Sequence, residues 1–198
     1  AYESLVRAQK YFNLSQQFDK DRYAKIPVTA DIIQHDFMRV CEQILTVANT
    51  QQTIPDLNKI INTYTQAPQH IRDSLVSVRN QLAFQEAANE HTIAAYNLFI
   101  TTYTNATQIS QAEKNRNQLA LQQAKTTNTA DAYKQFLEQY PDSEGYKEAE
   151  FLYYKLFYED ITKDGSYESY LKFVKTYPKT EIAKYAIEAM VRIAKQQN

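Results

Sequence analysis

The sequence predicts an all-α protein, an α-solenoid of antiparallel helix pairs with no β-sheet, and three observations carry that prediction. One unit is written more than once: Tyr133-x2-Phe136-x3-Tyr140-Pro141 returns 37 residues later as Tyr170-x2-Phe173-x3-Tyr177-Pro178. A step of 37 residues back lands on Tyr96, Phe99 and Tyr103, and one of 39 more lands on Leu57, Ile60 and Tyr64. A fixed period of tens of residues with apolar positions at helical spacing is the signature of stacked helical units. The 198 residues also hold only two glycines, Gly145 and Gly165, and five prolines, which fall at helix boundaries or turns. Low glycine with periodic apolar residues reads as helix nearly throughout.

Taken in order, residues 2–24 carry Leu5, Val6, Ala8, Tyr11, Phe12, Leu14 and Phe18 at spacings of three and four, which predicts a first amphipathic helix. Asp19 to Arg22 supply a charged side, and Ile26-Pro27 ends the segment because a residue before proline is pushed out of the helical region. Thr29 is placed to cap a second helix with Asp31 in its first turn and Ile33, Phe37, Val40, Cys41 and Ile44 along it. Residues 1–52 therefore form an N-terminal helical, capping segment, and residues 53–198 form four repeats.

Each repeat pairs a short helix with a long one. Thr53, Thr92, Thr129 and Ser166 are the expected caps of the short helices, and Asp56 sits where a reciprocal partner of Thr53 would stand. Gly165 suits the left-handed residue between the third and fourth repeats. Ala112, Ala149 and Ala186 recur nine positions after the last tyrosine of each stripe, where a small side chain lets paired helices approach. The long helix after Tyr146 is unusual, since Ala149, Phe151, Leu152, Tyr153, Tyr154, Leu156, Phe157, Tyr158 and Ile161 project around more than one stripe. Such a helix is expected to be covered on two sides.

Composition excludes several classes of function. With 22 basic and 23 acidic residues no strongly cationic face for nucleic acid is expected. Two glycines cannot write a phosphate-cradling loop or a dinucleotide fingerprint. Cys41 is the only cysteine and lies in an apolar run, so it reads as a small buried hydrophobe. His35, His70 and His91 fall on three separate segments, without metal-ligand spacing. Glu148, Glu150, Glu159 and Asp160 read as a solvated face in preference to an acid–base pair. No catalytic residue, metal or cofactor is expected. No apolar run reaches the roughly 18 residues of a membrane span. The chain begins at Ala1 without methionine and is expected to be a processed or trimmed product, with a signal peptide or lipid anchor upstream remaining open.

The run Tyr133-Lys134-Gln135-Phe136-Leu137-Glu138-Gln139-Tyr140-Pro141-Asp142-Ser143, followed by Ala149 and repeated around Tyr170 to Ala186, resembles tetratricopeptide-type repeats. More narrowly it resembles the divergent repeats of periplasmic Tol-Pal proteins and of the outer-membrane assembly lipoprotein of Gram-negative bacteria. The resemblance is good over residues 129–194, fair over 53–128 and absent before 50. It departs from the family in lacking the tight glycine of the first helix and in its 37-residue period, where about 34 is standard. The resemblance implies a right-handed superhelix that binds a protein or peptide on a concave groove without catalysis. Richness in glutamine, asparagine, threonine and tyrosine resembles envelope proteins of the Bacteroidetes type, so a periplasmic or outer-membrane-associated place is expected, with the cytoplasm still open.

The sixteen tyrosines narrow the search for a contact surface. Tyr133, Tyr140, Tyr170 and Tyr177 recur and belong to the repeat core. Tyr154 or Tyr158, with Lys147 or Lys155 beside them, is the expected partner-binding surface, because tyrosine offers large contact area and a hydroxyl at low entropic cost. The alternative at these positions is packing on the neighbouring repeat. The expected function is a non-catalytic protein-interaction scaffold in a bacterial envelope complex. Its rivals are a glycan- or lipid-binding helical domain with an aromatic pocket, and an accessory domain of a longer protein.

Overall fold

A computed structural model describes residues 1–18 and 29–196. The expected break at Ile26-Pro27, the charged run Asp19 to Arg22 and the last two residues of the polar tail lie outside the described residues. Among those described there are ten α-helices and no strand. They are α1 (Tyr2–Phe18), α2 (Ala30–Asn49), α3 (Ile54–Thr63), α4 (Gln69–Glu90), α5 (Ile93–Thr102), α6 (Ile109–Thr127), α7 (Ala130–Gln139), α8 (Tyr146–Ile161), α9 (Tyr167–Thr176) and α10 (Glu181–Gln196). The short helices α5, α7 and α9 begin and end one 37-residue step apart, so the period in the sequence is a period of helices.

Local chemistry sets the ends. The hydroxyl of Thr29 accepts from the Ile32 amide at 3.3 Å, Thr92 from Ala95 at 3.0 Å, Thr129 from Ala132 at 3.2 Å and Ser166 from Ser169 at 3.1 Å. Thr53 accepts from the Asp56 amide at 3.3 Å and donates to the Asp56 carboxylate at 2.6 Å. Each bond from an amide satisfies a donor that the first turn leaves without a carbonyl, and the Thr53–Asp56 side-chain bond orients the capping hydroxyl. At the other end Tyr140 and Tyr177 leave the helical region, as residues before proline do, and donate their amides back to Phe136 and Phe173. Gly165 is left-handed with φ 65°, and the positions one and two repeats earlier, Asn128 (φ 49°) and His91 (φ 51°), share that conformation. Those two non-glycine residues use their side chains: Tyr133 donates to the Asn128 side-chain carbonyl at 3.3 Å, and His91 Nδ1 lies 3.2 Å from the Tyr96 hydroxyl.

The chain packs as two compact units. One comprises Ala1–Glu90 with the connection Thr101–Ile109, the other His91–Ile100 with Ser110–Asn198. In the first, α1 lies on α2, and α2 on α3 and α4. Tyr2, Phe37, Cys41 and Ile44 share one core with Leu57, Ala67, Ile71 and Leu75, so the helices of the capping segment and the first repeat bury their faces together. Cys41 is fully buried there, and burial pushes its thiol up from the usual range. The α1 stripe corrects the sequence expectation. Tyr2, Leu5 and Val6 turn inward, whereas Tyr11 and Leu14, expected on the buried face, are 65 % and 39 % exposed. At about 100° per residue, position 11 lies opposite position 2 and position 14 about 120° from it, off the inward face.

In the second unit the stripe residues are the core. Tyr96, Phe99, Tyr133, Phe136 and Phe173 are buried, and so are Ala112, Ala149 and Ala186, each 0 % exposed. The helix α8 touches α7, α9 and α10. Its Leu152, Tyr153 and Leu156 pack with Tyr133 and Phe136, while its Tyr154, Phe157, Tyr158 and Ile161 pack around Phe173. The two-sided apolar surface expected of this helix is therefore used on two sides. Gly145 opens α8 in close contact with α6: a Cβ there would stand 2.6 Å from Leu121 Cδ2.

Candidate functional site

Two surface grooves in the second unit occupy equivalent places in successive repeats. The first, about 510 Å³, lies between α6 and the turn from α7 to α8, with Ser110, Glu113, Lys114 and Asn117 on one side and Asp142 to Gly145 on the other. The second, about 560 Å³, lies between α8 and the turn from α9 to α10, with Lys147, Glu150, Phe151 and Tyr154 facing Lys179 to Ile182. Every one of those positions is the first groove's position moved on by 37. The architecture is repeated but the chemistry is not: Lys114 gives way to Phe151, Asn117 to Tyr154 and Gly145 to Ile182.

Of the four residues that the sequence put forward, Lys147 and Tyr154 come together in the second groove. Tyr158 and Lys155 do not line it. Tyr158 stands edge-on to Phe173 with ring centroids 5.2 Å apart and lies 6.1 Å from Tyr170, inside the α8–α9 core. Lys155 faces solvent and reaches Glu159 at 3.9 Å. Tyr154 serves both alternatives at once. Its ring packs on Tyr177 (4.9 Å) and Tyr153 (5.2 Å), yet it also forms part of the groove wall.

The side chain that reasoning from recurrence missed is Phe151, which is 44 % exposed in the groove. The register would have found it, since the equivalent position one repeat earlier is the charged Lys114 and aromatic replacement of an exposed lysine calls for a contact. Lys179 and Ile182 on the facing turn were missed as well, because their distance in sequence from Lys147 hides their nearness in space. Lys147 is held loosely, 3.4 Å from Glu150 and 6.0 Å from the Tyr146 ring centroid, with its side chain 87 % exposed.

Electrostatically the groove is mixed, with Lys147 and Lys179 set against Glu150 and Glu181. Burial raises the Tyr154 hydroxyl above its ordinary value, so it stays neutral and serves as a hydrogen-bonding group, not a base. Next to it, burial and the bond to Tyr177 push Tyr153 up to about 12. The two hydroxyls lie 3.3 Å apart. Among the described residues no group of histidine, cysteine and carboxylate side chains is placed to hold a metal ion. No helix among them is long and apolar enough to cross a membrane.

What the arrangement offers is an aromatic wall of fixed geometry with ammonium groups at its rim. Tyr154 cannot swing away without giving up its contacts with Tyr153 and Tyr177, so little side-chain freedom is left to lose on binding. No protein-family model, no curated protein and no solved structure matches the chain, and its candidate site rests on these residues alone.

Proposed function

We propose that the chain is a tetratricopeptide-like, right-handed α-solenoid that works as a non-catalytic scaffold, holding a protein or peptide partner in a bacterial envelope complex. The observation that carries the reading is the substitution of aromatic for polar side chains in one of two register-equivalent grooves. The repeat provides the same cradle twice, and the copy lined by Lys147, Phe151, Tyr154 and Lys179 carries two rings on its helix side where the first copy has Lys114 and Asn117. An exposed aromatic on a preorganised wall, rimmed by charged side chains, is the form of a protein-contact hot spot. The envelope and the handedness rest on the resemblance of the repeats and on nothing else.

The experiment is a selection of peptides from a diverse displayed library on the whole chain, repeated on Phe151→Asp and Lys179→Glu. Phe151 is exposed, so the variant should melt with wild type while losing the selected peptides. Binders that bind both variants as well as wild type would remove the groove from the reading. Peptides failing while a glycan or lipid headgroup bound in a Phe151-dependent way would replace it with the ligand-binding alternative.

A further inference from the structure

A third cleft, about 310 Å³, lies between the C-terminal half of α6 and α7, and it shares Gln139 and Tyr140 with the first groove. The two form one trough along α6, from Ser110 to Thr127. At 1.5 Å per helical residue that is about 26 Å, the length of an extended chain of about eight residues. At the Thr127 end the trough is lined by Ala120, Ala124 and Ala132, small side chains that let a backbone come close, with the exposed carboxamides of Gln123, Gln135 and Gln139 along it. Each carboxamide offers both donors and an acceptor, the two groups that an extended peptide backbone presents in alternation.

The Ser110 end differs in charge. Its cations are engaged: Arg116 lies over the Tyr140 ring at 5.1 Å and donates to the Asn117 side-chain carbonyl at 3.0 Å, and Lys114 reaches across the trough to Glu144 at 3.0 Å. Glu113 on α6 and Asp142 on the facing turn have no ion-pair partner among the described residues, so this end holds acidic charge that nothing within the chain neutralises. The Lys114–Glu144 pair is 45 % and 76 % exposed, and a pair so wet is weak enough for an incoming cation to displace. We propose that the trough is a second binding site, separate from the Phe151 groove and independent of it, for an extended peptide segment. The segment is uncharged along α7 and carries one lysine or arginine at the end beside the turn from α7 to α8. Its cation lies between Glu113 and Asp142 and takes Glu144 from Lys114, while its backbone bonds to the carboxamides over the alanines.

The test is a selection of random octapeptides from a displayed library on the whole chain carrying Phe151→Asp, so that the other groove contributes nothing. The selected peptides should share one basic residue, and fluorescence anisotropy on synthetic copies then reads each wall of the trough. Glu113→Gln and Asp142→Asn should each weaken binding by about two- to fivefold, the range of an exposed charge contact. Lys114→Gln should strengthen it by a similar factor, because it removes the competing cation from Glu144. If a carboxylate variant fails to melt like its parent, replacing the basic residue of the peptide with glutamine reads the same contact on the unaltered protein. The proposal is overturned if the selection yields no peptide, or if the peptides share no basic residue. It is also overturned if neither carboxylate variant nor the altered peptide binds more weakly, or if Lys114→Gln leaves affinity unchanged or lowers it. A neutral oligosaccharide that displaced the peptides would likewise overturn it. Because Phe151 is replaced throughout, failure here leaves the Phe151 groove standing, and failure of that groove leaves this outcome unaltered.

Discussion

Replacing Phe136 with alanine tests whether the recurring aromatic is the seam of the fold. The ring is 3 % exposed and lies 5.4 Å from the Tyr140 ring in a core completed by Ala120, Ala124, Ala149, Leu121 and Tyr133. Taking a fully buried phenyl group back to a methyl forfeits about 2–3 kcal/mol of transfer free energy. The space it leaves adds to this, only partly relieved by Leu137, Leu152 and Leu156, which pack against the same core. The loss should therefore fall within the roughly 3–5 kcal/mol range seen for such truncations. Urea unfolding followed by circular dichroism measures it, with the slope of the transition showing whether the same surface is exposed in both proteins. A loss below about 1 kcal/mol at unchanged slope would refute the assignment, because a truncation that cheap belongs to a ring already in water.

Three further outcomes are expected. Thr129→Ala removes the bond to the Ala132 amide and should cost about 1 kcal/mol in the same assay. A double-mutant cycle on Asn128→Gly and Tyr133→Phe should return a coupling of roughly 0.5–1.5 kcal/mol, since each change breaks the same side-chain bond; additivity would show that the bond contributes nothing. The third concerns alkaline pH. The folded pKa of Tyr153 lies above its unfolded value near 10, so the folded protein keeps a proton that the unfolded chain releases, and the associated stability is present below pH 10 and lost as pH rises toward about 12. Thermal melts across that interval should show a steeper decline in wild type than in Tyr153→Phe, and equal slopes would count against the burial of this hydroxyl.

The helices, their caps and their period were legible in the sequence because each is a local property. A threonine three residues before a free amide, a proline after a tyrosine, and apolar residues at offsets of three and seven act within one or two turns. Even the two-sided use of α8 could be read from how many of its residues are apolar. The choice of face on α1 could not, since Tyr2, Leu5 and Val6 on one side and Tyr11 and Leu14 on the other are both apolar stripes at helical spacing. Which one is buried was decided by contact of Tyr2 with Phe37 and Tyr64, residues far along the chain.

The same holds for the site. Sequence marked Lys147 and Tyr154 by their chemistry but ranked Tyr158 equally, and only packing against Phe173 and Tyr170 takes Tyr158 into the core. The facing wall, Lys179 to Ile182, joins the groove because the turn from α9 to α10 folds back over α8. Periodicity by itself determined that the two repeats would offer the same backbone cradle, since the short helices α7 and α9 are equal in length and the turns after them keep the 37-residue register. Tertiary structure decided which rings of α8 remain in the groove wall, because Phe151 is left 44 % exposed while Tyr158 is taken up by Phe173, and that depends on what each neighbouring helix covers.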